Sequence, residues 1–230
     1  MNQQRTTAII LARVAYGEAD RILTLLTPQA GKLSLMAKGV RKVKSKMAGG
    51  IELFSVSEIT YLPGRGSMGT LISARLVRHY GHIVEDIART MLGYELIKLL
   101  HKVTEDAPEP AYYHLLEQTF SLLDDRTITV EFIQVWFWAQ LLVLAGHTPN
   151  LQKDVAGAQL SAECQYEFDY DTTAFRAKAD GAFGVNEIKF LRLVFSATPP
   201  ANTASVHGGT QFVSAVAPLI QTLRQLHLRM

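Results

Sequence analysis

The chain has 230 residues, 48% hydrophobic and 19% charged, which excludes a disordered polypeptide and suits one large domain or two small ones. Its net charge of +2 conceals a dipole. The first 80 residues carry 12 Lys and Arg against 4 Asp and Glu, net +8, and the remaining 150 carry 11 against 17, net −6. One cysteine, Cys164, excludes an internal disulfide and a cysteine-rich metal site, and the apolar stretch 8–12 is too short for a signal-peptide core or a membrane span. A cytoplasmic protein is expected.

The first 80 residues read in periods of two. Residues 6–13 and 22–27 are β-rich and joined by the polar turn Gly17-Glu18-Ala19-Asp20. Thr27-Pro28-Gln29-Ala30-Gly31 is a second turn, and 32–37 alternates polar with apolar as a half-buried strand does. Residues 39–50 lack an apolar period and are expected to form a long, flexible basic loop. Strand character resumes over 51–62, turns at 63–67 and returns over 70–77. Five short antiparallel strands predict an OB-type β-barrel, a fold that commonly binds oligonucleotides; an SH3-like barrel fits the pattern nearly as well.

From His82 the period becomes helical. Ile83, Ile87 and Met91, with Val84, Ala88 and Leu92, form two adjacent rows at spacing four that continue through Ile97 and Leu100. Pro108 and Pro110 separate this helix from one over 111–123. Residues 127–145, with Trp136, Phe137 and Trp138, are apolar nearly all round and predict a central helix ended by Gly146 and Pro149. A hairpin is expected around 166–170, a helix capped by Asn186 over 187–195, and a last helix interrupted near Pro218. The fold class is therefore α+β, with a barrel domain over 1–80 and a helical domain over 81–230.

The most charged segment lies between the third and fourth strands. Lys32, Lys38, Arg41, Lys42, Lys44 and Lys46 follow one another with no acidic residue from Arg21 to Ile51. A basic lobe on a small barrel points to a polyanion, most commonly nucleic acid. Arg65 and Arg75 extend the candidate set. Gly64-Arg65-Gly66-Ser67-Met68-Gly69 matches a dinucleotide fingerprint, but a strand-like run follows where that motif needs a helix, so it reads as a hairpin turn. No zincin motif, nucleophile elbow or phosphate loop occurs, and the seven histidines are scattered. Trp136, Phe137 and Trp138 could stack bases, yet consecutive helical residues point in different directions, and core packing is the better reading.

Three stretches of the N-terminal half stand out: Tyr16-Gly17-Glu18-Ala19-Asp20-Arg21-Ile22-Leu23-Thr24-Leu25-Leu26-Thr27, the run 31–39 leading into Arg41-Lys42-Val43-Lys44-Ser45-Lys46, and Thr70-Leu71-Ile72-Ser73-Ala74-Arg75. With them the chain resembles the RecO family of DNA repair and recombination mediators. A weaker likeness continues through Leu144-Ala145-Gly146-His147-Thr148-Pro149-Asn150-Leu151. The resemblance implies an N-terminal OB domain and a C-terminal helical domain. It further implies binding of single- and double-stranded DNA, strand annealing, and partnership with RecR and single-stranded DNA-binding protein in loading RecA. It implies no enzymatic activity and no cofactor. Many relatives hold zinc with two C-x-x-C pairs after the Gly-x-x-Pro turn; here the approximately matching positions are Asp154, Gly157, Ala177 and Asp180, and Cys164 matches none. The insert near 150–182 is thus a degenerate ribbon without metal, expected to be held by Tyr166, Phe168, Tyr170 and Phe175. For the acidic tail of single-stranded DNA-binding protein the candidates are Lys189, Arg192 and Arg224, with Lys178 and Arg229. The alternatives are an RNA-binding OB protein of the translation apparatus and, on the glycine motif alone, a nucleotide-dependent enzyme.

Overall fold

The structure, a computed structural model, describes residues 2–64, 66–104, 109–205 and 209–228. Arg65, Pro108 and Arg229 lie outside the described residues. The chain divides into two compact units, 1–126 and 127–230.

The first unit is built on a closed five-stranded barrel of strand order β1-β2-β3-β5-β4: β1 (Gln4–Tyr16), β2 (Asp20–Thr27), β3 (Gly31–Ala37), β4 (Ser55–Leu62) and β5 (Met68–His79). Four pairings are antiparallel. The fifth, β3 with β5 at Ser34↔Met68 to Met36↔Thr70, is parallel, so the expectation of an all-antiparallel barrel is corrected at the closing seam. That order and seam are those of an OB-fold and decide against the SH3-like alternative. Alternate residues point inward as the pleat requires, and Ala8, Ile10, Leu23, Leu25, Leu35 and Ile59 fill the barrel. Gly64 shapes the β4–β5 hairpin: a Cβ there would lie 1.9 Å from the carbonyl oxygen of Met68. The glycine motif is therefore a turn requirement, and β5, not a helix, opens from its last two residues.

Two helices complete this unit, α1 (Ile87–Val103) and α2 (Pro110–Asp124). The helix expected from His82 begins five residues later. A single 3-10 turn over Gly81–Glu85 comes first, and Asp86 caps α1 by accepting from the Arg89 backbone N–H at 2.9 Å. That restart changes the phase. Ile83 is buried, but Val84, Ile87 and Met91, expected to face the core, are exposed. Leu92, Ile97 and Leu100 are buried as expected, and Leu96 joins them. Arg89 is buried too, and its guanidinium donates to the carbonyls of Leu123 at 2.9 Å and Asp125 at 3.0 Å, closing the C-terminus of α2.

The second unit contains α3 (Val130–Leu144), a small sheet of order β6-β8-β7, and the helices α4 (Val185–Val194), α5 (Pro200–Ala204) and α6 (Gly209–His227). Trp136, Phe137 and Trp138 are all buried, as packing on several sides requires, so they form core and no stacking platform. The sheet strands are β6 (Asn150–Asp154), β7 (Tyr166–Asp169) and β8 (Ala174–Ala177). Phe175 meets Tyr166, Phe168 and Phe183 edge-on at 5.1–6.1 Å between ring centroids, and Tyr170 meets Phe168 at 5.1 Å. Aromatic packing thus holds this sheet. Two helix boundaries differ from expectation. Gly184, not Asn186, is the N-cap of α4, with its N–H donating to the Glu187 carboxylate at 2.9 Å. α6 runs through Pro218 without a break, and that residue lies on the exposed face.

Candidate nucleic-acid interface

The segment after β3 leaves the barrel at Lys38 and returns through a 3-10 turn, Ala48–Ile51, before β4. It is anchored at both ends. Val40 is buried in the barrel core and Met47 packs against the same cluster. Three hydrogen bonds tie its start to the β1–β2 turn. The Gly39 N–H donates to the Asp20 carboxylate at 2.7 Å, the Arg41 N–H to the Ala19 carbonyl at 2.9 Å, and the Arg41 guanidinium to the Gly17 carbonyl at 3.2 Å. Within it, the Lys42 N–H donates to the Gly39 carbonyl and the Ser45 N–H to that of Lys42. Gly39 adopts φ +65°, the left-handed conformation that lets the chain turn back toward Asp20. The expected long loop is thus a succession of turns tied to the β1–β2 turn.

These anchors decide where the charge points. Lys38, Arg41, Lys42, Lys44 and Lys46 are all exposed, and among the described residues none pairs with a carboxylate. Val43 stands fully exposed between Lys42 and Lys44. The barrel wall differs. Arg5 and Arg75 share Glu58 at 2.5 and 3.1 Å, and Arg13 pairs with Glu52 at 2.7 Å. The two guanidiniums hold the Glu58 carboxyl below the usual carboxylate range. Three wall arginines are thus ion-paired, whereas among the described residues the loop cations make no salt bridge, although Glu18 and Asp20 line a shallow pocket with Lys38 and Lys42.

Lys32, grouped by sequence with the loop, sits elsewhere. Its ammonium donates to the carbonyls of Thr104 at 2.6 Å and His101 at 3.3 Å, capping the C-terminus of α1. Arg75 lies on exposed β5 in its ion pair, and Arg65 is outside the described residues. The structure thus brings together five of the eight candidates and places Lys32 and Arg75 elsewhere. Sequence reasoning missed the anchoring role of Asp20. Its signal was an acidic residue closing the β1–β2 turn, opposite a glycine just after β3.

In the second unit the three tail-binding candidates occupy different settings. Lys189 is exposed on α4, while the Arg192 Nε donates to the Leu151 carbonyl at 2.8 Å and ties α4 to β6. The Arg224 guanidinium lies 4.2 Å over the Trp138 ring, beside a small cavity lined also by Gln134, Ile220 and Gln221. The Nε1 of Trp138 and the Nε of Arg224 are buried without a hydrogen-bond partner. Among the described residues no group of three or more His, Cys, Asp or Glu is placed to hold a metal, and no helix is long and apolar enough to cross a membrane.

Comparison with known proteins decides what this barrel is. The family model described as Recombination protein O N terminal matches residues 1–80, and that described as Recombination protein O C terminal matches residues 84–207. The chain belongs to the RecO family. A "DNA repair protein RecO" of Dehalococcoides mccartyi is 30% identical over 204 residues, 83% of this chain and 77% of its own length. One from Listeria innocua is 27% identical over 202 residues, 84% and 77% of the two chains. One from Rubrobacter xylanophilus is 30% identical over 147 residues, 64% and 59% of the two chains. The RecO resemblance carried by the β1–β2 turn and the basic loop therefore extends to both parts of the chain, and the OB barrel with its helices is the RecO architecture.

Proposed function

We propose that this RecO-family chain is a non-enzymatic recombination mediator that binds single- and double-stranded DNA through phosphates and anneals complementary strands. The single observation that carries the reading is the loop 38–46. It holds five exposed cations with no carboxylate among them, on a backbone tied to the β1–β2 turn. Neutralising phosphates releases condensed counterions, so such a loop binds any base sequence and lowers the repulsion between two strands. The OB-fold commonly uses the β1–β2 connection for oligonucleotides, and here that connection adjoins the loop.

The partner reading follows the same logic. In the proposed mediator role, RecR and single-stranded DNA-binding protein cooperate with this chain in loading RecA. The tail of the latter is acidic and apolar, and what supports its docking is the cavity beside Arg224. A guanidinium fixed on a tryptophan, a second unpartnered N–H and two glutamine amides suit a carboxylate next to an apolar group. Lys189, exposed on α4, is a further cation for such a tail, while Arg192 has one nitrogen committed to β6.

The test is annealing of complementary DNA strands by wild type and by a Lys42→Gln, Lys44→Gln, Lys46→Gln variant, with RNA as competitor. Wild type should accelerate annealing and the variant should lose most of that acceleration. Preferential inhibition by RNA would favour the RNA-binding alternative, and equal rates would move the interface off the loop.

A further inference from the structure

A pocket of about 620 Å³ lies between β1 and α1, within the first unit and off the basic loop. Its floor is apolar. The register of β1 against β2 shifts between Ile10 and Ala12, so Leu11 is the extra, bulged residue, and it lines the pocket with Leu53 and Ile97. Leu53 is also where the loop, after its 3-10 turn, rejoins the barrel. One wall is Tyr94, 49% exposed and held edge-on against buried Phe54 at 5.1 Å between centroids. The rim is Lys98, His101 and Lys102 on the last turns of α1, and among the described residues no carboxylate lines the pocket.

A helix C-terminus ordinarily repels anions. Here the Lys32 ammonium donates to the His101 and Thr104 carbonyls and offsets the negative end of α1 beside Lys98 and Lys102. The pocket thus offers an exposed aromatic ring, an apolar floor and two exposed lysines to an occupant. Such an occupant must be flat or apolar at one end and anionic at the other. A nucleotide with its base on Tyr94 and its flanking phosphates on Lys98 and Lys102 meets all three conditions.

We propose that this β1–α1 pocket is a nucleobase subsite for single-stranded DNA, distinct from the phosphate-binding loop and resting on the reading of that loop as a DNA interface. Duplex DNA cannot use it, because its bases are stacked and paired. The loop would then hold either form of DNA, and the pocket would favour a single strand. A strand engaged here has one base withdrawn from the solvent, which gives single-strand preference without sequence readout.

Three full-length variants separate the possibilities: Tyr94→Leu, which keeps an apolar contact with Phe54; Lys98→Glu with Lys102→Glu at exposed positions; and the glutamine triple variant of the loop. Affinities are measured for an oligothymidylate, for an abasic deoxyribose-phosphate strand of equal length, and for a duplex. Wild type should prefer the oligothymidylate to the abasic strand by roughly tenfold, the scale of one base–aromatic stack, and Tyr94→Leu should abolish that preference. The double lysine variant should flatten the logarithmic salt slope for the single strand by about 1.4, two phosphate contacts' worth, while duplex affinity is retained. An unchanged abasic preference in Tyr94→Leu, or equal loss of single-strand and duplex binding in the lysine variant, overturns the subsite. So does an acidic apolar peptide that binds through Lys98 and Lys102 without displacing the oligothymidylate. If only the loop variant loses DNA, the subsite falls and the loop reading stands; if wild type binds no DNA, that reading falls first.

Discussion

Phe54 adopts φ +54°, a left-handed conformation that costs a bulky residue roughly 1–2 kcal/mol, and its ring is buried. The ring packs edge-on against Tyr94 and Phe120, and α1 approaches it closely only because residue 93 is glycine. A Cβ at Gly93 would lie 2.6 Å from the ring, so Gly93→Ala should destabilise the chain by about 1–3 kcal/mol in urea unfolding, as overpacking does. Gly49→Ala, whose Cβ meets nothing within 4 Å, is the control and should be close to neutral. His101 carries the pH dependence of the same region. Burial first, and Lys32 second, pull its imidazole below the ordinary value of 6.5. The unfolded chain therefore binds a proton that the folded chain resists, so this contribution is full above pH 6.5 and is lost as pH falls toward the lowered folded value. His101→Gln should shrink the fall in melting temperature across that window. An identical pH profile in the variant would contradict this.

At the scale of elements, the readings that succeeded are those where local chemistry and tertiary packing agree. The five strands were legible because the barrel buries alternate residues, and α3 because it is apolar all round. The first face of α1 was not, since Asp86 restarts the helix and resets the phase, leaving Ile87 and Met91 exposed. A capping aspartate four residues inside an apolar period was the overlooked signal. The β6-β8-β7 sheet also bears a prediction. With its aromatic rings packed on Phe175, it should fold without metal, giving no stoichiometric zinc by elemental analysis and no change in melting with chelator. About one zinc per chain in untagged protein would overturn that.

At the scale of the molecule, the charge asymmetry was visible in composition, but its distribution in space was not. Arg75, a candidate by sequence, shares Glu58 with Arg5, Arg13 pairs with Glu52, and Lys32 is spent on a helix end. Only pairing across strands, which sequence order hides, separates them from Lys42, Lys44 and Lys46. The central claim is that these exposed loop lysines bind phosphates. The most direct measurement is the dependence of single-stranded DNA affinity on salt, for wild type and for Lys42→Gln, Lys44→Gln, Lys46→Gln. The logarithmic slope should flatten by about 2 in the variant, three contacts at about 0.7 each, whatever the base sequence. An unchanged slope would contradict the account.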